Sequence, residues 1–487
     1  MSEEDLRRQR ETNRDALKAS GLDPYGKRFP GLKAIAEAKA LAESPEGARN
    51  ARIAGRMTRR RDMGKAIFCD IVDRTGKIQV YLKADKMGAE AFAPFKFVDL
   101  GDVLGFEGDV GKSKTGEITL FAQSWTPLAK CLRPPPEKWH GMQDVEQRFR
   151  RRWVDLAHNE EAREVFLARS RILKEIRTFL DGRGFLEVET PTLQTIPGGA
   201  TARPFQTHHN ALGVDLFLRI ATEIPLKELL VGGLERVYEI GRCFRNEGID
   251  TRHNPEYTSL ELYQAYGDLG DMMDVTEAVV AHLLNAVAGK TEISYKDRPL
   301  KLAPPWPRRE YLDLVREHAK ADPKDPAAIS AALKSRGVDA AKMSPIEALE
   351  EAFAAFVEPE LWDPVFVTGQ PRELAVLCKE RSDNPALSER FELFVAGMEI
   401  ANAYTELNDP AEQRKRLAEQ AGGLEQGIVA GKVDEDFLDA LECGMPPAGG
   451  LGIGIDRLVM ILTGCPSIRE VILFPLLRPE GLGPAKG

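Results

Sequence analysis

Near the middle of this 487-residue chain an apolar strand runs into Phe244-Arg245-Asn246-Glu247. A short polar run later, His253-Asn254-Pro255-Glu256-Tyr257 opens a second strand. An arginine at the end of such a strand can take phosphate oxygens in a bidentate fork, and Glu247 can accept a hydrogen bond from an amino group. In the second strand, period-2 geometry puts Tyr257, Ser259, Glu261 and Tyr263 on one face and Leu260 and Leu262 on the other. Taken alone, a strand with one polar face is more often simply half-exposed. Beside a phosphate-binding loop, that face reads as a ligand platform.

The length implies two or more domains. A net charge of −9 argues against indiscriminate binding to nucleic acid, so such a partner would need local basic patches. Arg59-Arg60-Arg61 and Arg148 with Arg150-Arg151-Arg152 are the candidates, although a charge run alone is more often a solvated face. No apolar stretch is long enough to span a membrane, and the charged N-terminus is not a secretory signal. The six cysteines form no C-x-x-C pair, which points away from a zinc or disulfide framework and toward a reduced cytoplasm.

Residues 1–50 read as a charged helical extension. From 51 to 130 the pattern changes to short alternating strands such as Ala66-Ile67-Phe68-Cys69-Asp70-Ile71-Val72 and Glu117-Ile118-Thr119-Leu120-Phe121. Such a run predicts a small barrel; an OB-fold is the natural candidate, and an SH3-like barrel would give a similar pattern. Residues 131–158, with Arg133-Pro134-Pro135-Pro136, read as a stiff linker. A long helix is predicted from about Asn159 to Gly184, inside an α+β region covering 159–487. Residues 321–370, rich in Ala, Asp and Pro, predict helices inserted between its strands, and 481–487 predict a frayed end.

Two further constellations carry chemistry. In Phe391-Glu392-Leu393-Phe394-Val395-Ala396-Gly397-Met398-Glu399-Ile400, a two-residue turn at Ala396-Gly397 would place Phe394 opposite Glu399 and Glu392 opposite Ala401. Glu392 and Glu399 then share a face, where Mg²⁺ bridging to phosphate oxygens would relieve their repulsion; an exposed hairpin with two solvated acids is the plainer alternative. Asn402, Tyr404 and Glu406 have the opposite parity to Glu399, so a single pocket requires a bulge near Ala401 or Ala403. With Glu223 and Glu261, Glu406 would make an acidic pocket suited to a cation. In Gly452-Ile453-Gly454-Ile455-Asp456-Arg457, the glycines allow close ligand approach, Asp456 can cap the following helix, and Arg457 can lie against an aromatic base.

The Arg245 run and the Asp456-Arg457 run resemble motifs 2 and 3 of class II aminoacyl-tRNA synthetases, and residues 184–193 resemble motif 1, their dimerisation element. The runs 196–205, Thr207-His208-His209-Asn210-Ala211 and Asn402-Ala403-Tyr404-Thr405-Glu406-Leu407-Asn408-Asp409 are similar to bacterial-type lysyl-tRNA synthetases. So are Thr58-Arg59-Arg60, Met63-Gly64-Lys65-Ala66 and His140-Gly141-Met142-Gln143-Asp144, and the likeness spans nearly the whole chain.

That resemblance implies an α+β multidomain fold: a five-stranded OB-fold barrel plus a class II catalytic domain with an antiparallel sheet flanked by helices. It implies a cytoplasmic homodimer, joined through 184–193, that uses ATP, Mg²⁺, L-lysine and tRNA(Lys) and has no DNA or membrane partner. Arg245 and Arg457 would be catalytic. With Glu247, His253, Tyr257, Glu392 and Glu399 they would bind ATP, the two last-named glutamates through the metal. Gly199, Glu223, Glu261, Tyr263, Asn402, Tyr404 and Glu406 would bind lysine, and Arg60, Phe68, Gln79 and Glu117 would read the anticodon. The chain departs from the family at Ala375-Val376-Leu377-Cys378 and at Ile224-Pro225, and both changes bear on pocket shape. Of the rivals, an aspartate or asparagine synthetase would be poorly served by Glu261 and Glu406, a protein-lysylating paralogue lacks the N-terminal barrel expected here, and a non-enzymatic tRNA binder should have lost Arg245 or the Glu392/Glu399 pair, all three of which this chain keeps.

Overall fold

The computed structural model describes residues 2–45, 49–135, 144–200, 202–423 and 433–481. Pro136, His140 to Gln143, Thr201 and the end from 482 onward, each invoked above, lie outside the described residues. The chain forms two compact units, 1–143 and 144–487.

In the first unit, β1 (Asn50–Asp62), β2 (Ala66–Asp73), β3 (Gly76–Lys83), β4 (Val103–Lys112) and β5 (Ile118–Ala129) close into a barrel in the order β1-β2-β3-β5-β4. This is the five-stranded OB architecture. Alternation drives it: Ile67, Cys69 and Ile71 on β2 and Ile78, Val80 and Leu82 on β3 are all buried. The β2–β3 turn is pinned by Asp73, whose carboxylate accepts from the Thr75 and Gly76 amides. The helices Glu3–Ala19 and Ile35–Ala40 place Leu17, Ile35 and Ala38 in the barrel's own core.

The second unit is built on eight strands: β6 (Leu186–Glu187), β10 (Arg236–Phe244), β11 (Glu256–Ala265), β14 (Arg308–Glu310), β15 (Val365–Thr368), β16 (Arg390–Val395), β17 (Met398–Thr405) and β18 (Ala448–Gly454). Their order is β14-β15-β16-β17-β18-β11-β10-β6. Pairing is antiparallel from β15 through to β10, as the sequence led us to expect, but parallel at both edges, β14 with β15 and β10 with β6. A small sheet of β7 (Leu193–Gln194), β8 (Gln206–His209) and β9 (Val214–Leu218), and the hairpin β12 (Glu292–Tyr295) and β13 (Arg298–Lys301), lie outside it.

One face of the large sheet is apolar. Leu260, Leu262, Leu451 and Ile453 meet Ile172 and Ile176 of the helix Glu160–Asp181, Val279 of Leu269–Leu283 and Val459 of Ile455–Thr463. The long helix starts at Asn159, whose side chain caps it by accepting from the Ala162 amide. The helices Pro326–Ser335 and Pro345–Ala352, each with a capping Asp325 or Ser344 and proline in the first turn, share a separate core with Tyr311–Ala319. The end of the 321–370 span is β15 of the main sheet rather than helix. All six cysteines are free thiols, and no helix among the described residues is long and apolar enough to cross a membrane.

Candidate active site

A cavity of about 1700 Å³ opens over the other face of the large sheet. Two rows of side chains cross its floor. Glu392, Asn402, Gly452 and Glu261 are successive partners on β16, β17, β18 and β11; Arg390, Tyr404, Gly450 and Tyr263 form the adjacent row. The glycines in the middle are steric necessities. A Cβ on Gly450 would collide with the Glu406 carboxylate and come within 2.5 Å of the Tyr263 ring. The expected polar face of β11 is present: Tyr257, Ser259, Glu261 and Tyr263 all line the cavity, while Leu260 and Leu262 are in the core.

A bulge brings Glu399 and Asn402 to the same side, one position earlier than expected. Phe394 pairs with Glu399 and Leu393 with Ala401, so Ile400 is the extra residue and Glu392 lies opposite Asn402 rather than Ala401. The cue was in the sequence. Ile400 and Ala401 are consecutive apolar residues in an otherwise alternating strand, and both are buried.

At the outer end, Arg245 leaves β10 with its guanidinium 5.3 Å from the Tyr257 ring centre, and its buried Nε has no hydrogen-bond partner. Burial works against its charge, but Tyr257, Glu399 and Glu247 outweigh it and hold the guanidinium above its ordinary pKa. Glu247 is exposed at the rim. His253 shares a hydrogen bond with Asp250 through Nδ1 (2.8 Å) and accepts at Nε2 from Arg457 (2.9 Å). Arg457 also donates to the Glu399 carbonyl (2.7 Å). Asp456 is not the helix cap: Gly454 holds that position, and the Asp456 carboxylate accepts from the Thr258 amide and Arg169. The carboxylate therefore clamps the helix to β11. Arg390, which the sequence reading overlooked, donates to Glu392 (2.5 Å) and Asn402 (3.0 Å). Burial pushes the Glu392 carboxyl upward, Arg390 opposes that, and Glu399 adds to it.

At the inner end, Glu223 opens the helix Glu223–Val231, with Pro225 in its first turn. Gly199, at φ +84°, lies so close that a Cβ would sit 3.1 Å from the Glu223 Cβ. Tyr404 donates to Glu223 (2.7 Å), and the Thr222 amide donates to Glu261 (3.4 Å). Burial, reinforced by Glu223, pushes the Glu261 carboxyl up to about 7. Glu406 sits behind Gly450 and is wholly buried. Its counter-ion is internal: Lys227, one helical turn after Glu223, pairs with Glu406 and lies 2.6 Å from Glu223. Burial alone would lower the Lys227 pKa, but the two carboxylates outweigh it and hold it raised.

The barrel carries a different surface. Phe68, Tyr81 and Phe121 are cross-strand neighbours on β2, β3 and β5, with ring centres 4.6 and 5.9 Å apart. Phe68 is part-exposed rather than core, and Phe121 is exposed. Next to this strip, Gln79 donates to Glu117 (2.9 Å); Arg60 lies opposite the buried Cys69 instead, tied to the Val98 carbonyl (2.7 Å) and Asp62.

Residues 144–478 match the family of class II tRNA synthetases (D, K and N), and residues 51–128 match the OB-fold nucleic acid binding domain. A lysine–tRNA ligase of Pelotomaculum thermopropionicum is 49% identical over 98% of this chain and 96% of its own length. One from Carboxydothermus hydrogenoformans is 50% identical over 95% and 96%, respectively. The chain belongs to the lysine–tRNA ligase family. A Bacillus cereus member, 47% identical over 98% of this chain and 99% of its own, extends the likeness.

Within this lysine–tRNA ligase fold the departures at 375–378 have a visible setting. Cys378 is fully buried and forms a β-bridge with Glu406, at the back of the inner end. Lys227 was missed because its pairing with Glu406 joins elements far apart in the chain, whereas Arg390 shares a strand face with Glu392 at i, i+2 and could have been found. For Lys227 the i, i+4 relation to Glu223 was the available hint.

Proposed function

We propose that this chain is a lysine–tRNA ligase acting in two steps at the cavity described above. The lysine carboxylate attacks the α-phosphorus of ATP, forming lysyl-adenylate and releasing pyrophosphate. The terminal ribose hydroxyl of tRNA(Lys) then attacks the activated carbonyl and releases AMP. The observation that carries this reading is that Glu223, Glu261 and Tyr404 line one end of the cavity, with Glu406 buried directly behind Gly450 of its floor, a site for an ammonium group beside Arg245 and Arg457. An aspartate or asparagine side chain would meet three carboxylates there and be disfavoured.

No nucleophilic side chain is needed, so positioning and charge do the work. Arg245, with a free buried Nε, would hold the α-phosphate and the attacking carboxylate. Tyr257 and Arg457 would sandwich adenine, Glu247 would accept from its amino group, and His253 would meet the outer phosphates. Asn402, kept in place by Arg390, would contact the lysine carboxylate, while Gly199 and Glu223 would take its α-amino group. Glu261, Tyr263, Tyr404 and Glu406 would surround its ammonium end.

Glu392 and Glu399 are a fitting donor set for Mg²⁺, which favours one or two carboxylates plus phosphate. When bound it would neutralise triphosphate charge. On the barrel, Arg60, Phe68, Gln79 and Glu117 would read the anticodon, with Phe68 as a stacking platform. We also assign the chain to the cytoplasm, in keeping with its free thiols, as a homodimer through 184–193; sedimentation would report a monomer if that assignment is wrong.

The deciding experiment is ATP–pyrophosphate exchange with each amino acid in turn. Exchange should depend on lysine. Exchange driven better by aspartate or asparagine, or by no amino acid, would overturn the proposal.

A further inference from the structure

Two carboxylates, Glu223 and Glu261, line the inner end of the cavity and a third, Glu406, lies behind Gly450 of its floor; each has one oxygen already engaged. Lys227 Nζ lies 2.6 Å from Glu223 Oε1, which also accepts from the Tyr404 hydroxyl at 2.7 Å. The same ammonium lies against Glu406 Oε2. Glu261 Oε1 accepts from the Thr222 amide. What remains of Glu406 is Oε1, buried, without a hydrogen-bond partner, and occupying the space that a side chain at Gly450 would fill. Gly450 itself lines the cavity.

The two common cationic side chains want different acceptors. A guanidinium presents a planar fork that matches both oxygens of one carboxylate. An ammonium has three donors on a single atom and is satisfied by single oxygens from separate groups. The pocket offers the second arrangement.

We propose that Lys227 is the positioning residue that sets this choice: by occupying one oxygen of Glu406 and one of Glu223, it leaves single acceptors for an ammonium and denies a guanidinium its paired oxygens. Lys227 is wholly buried, with the Tyr404 and Phe437 ring centres 5.6 and 5.9 Å from Nζ, so it has no route to a solvent role. It also bears on charge. Burial pushes the Glu406 carboxyl upward and Lys227 opposes that. The other titratable or charged groups around this pair are Glu223, Glu261, Tyr263, Tyr404 and Cys378, with Arg390 further along the floor.

The inference rests on the lysine-activating function proposed above, and the test separates the two. Pyrophosphate exchange is measured for the wild-type chain, Lys227→Met and Lys227→Gln, with lysine and with arginine as substrate and as competitor. The ratio of the two kcat/KM values on one preparation is independent of how much of it is folded. In both variants the preference for lysine over arginine should fall by at least about tenfold, mainly through a higher KM for lysine, with the KM for ATP within about twofold of wild type. Lysine kcat/KM should also climb more steeply between about pH 7 and 9, because Glu406 without its ammonium neighbour ionises at higher pH. A ratio unchanged in an active variant, or a fall in kcat shared by both amino acids, would overturn the inference alone. A wild-type chain with no lysine-dependent exchange would overturn the functional reading and the inference with it.

Discussion

The two ends of the cavity handle charge in opposite ways. At the inner end Lys227, Glu406 and Glu223 are buried, and the two carboxylates share one ammonium before any ligand arrives. At the outer end the side chains of His253 and Glu399 are 52% and 41% exposed, and Arg245 keeps a buried donor unmatched. Coulomb energies grow as water is excluded, so a dry, pre-paired site discriminates strongly between substrates of different charge and shape. A wetter site with unsatisfied donors suits a ligand that brings its own phosphates and exchanges quickly. Selection and chemistry thus occupy different dielectric surroundings on one sheet face.

Three variants test that contrast. Arg245→Ala should have the largest effect, lowering kcat for pyrophosphate exchange by about 10³-fold, because it removes charge stabilisation where negative charge develops. If only the KM for ATP rose, the outer end would be a binding surface and no more. Glu406→Gln comes next. Lysine kcat/KM should fall on the order of 10²-fold while ATP affinity, read by titration, stays near wild type. Its melting temperature should drop as well, since breaking a buried ion pair costs roughly 3–5 kcal/mol. Equal losses for lysine and ATP would erase the distinction between the two ends. Phe68→Ala on the barrel should change neither end, yet slow tRNA charging by about tenfold, the value of roughly one stacked base. Unchanged charging would remove Phe68 from the RNA surface, and altered exchange would show that the cavity is not self-contained.

Much of the site was legible before folding was considered. Tyr257, Ser259, Glu261 and Tyr263 were placed on one face by strand periodicity alone, and Gly452 and Gly454 were read as points of close ligand approach. The need for a bulge after Glu399 was legible too, though its position at Ile400 was missed by one residue because burial of two adjacent side chains is settled by the core beneath. Asp456 looked like a helix cap but is an inter-element clamp, since Arg169 and the Thr258 amide reach it from elements distant in the chain.

By itself, then, the sequence determined the barrel, the strand faces and the kinds of charge each loop carries, because those follow from local alternation, turn chemistry and motif. Only the tertiary structure decided which charges meet. Glu406 with Lys227 and Arg169 with Asp456 are contacts made by packing, and packing also hides Glu406 behind Gly450. The reason is that strand and helix geometry act over a few residues, whereas the pairing of ions depends on which elements the hydrophobic core brings side by side.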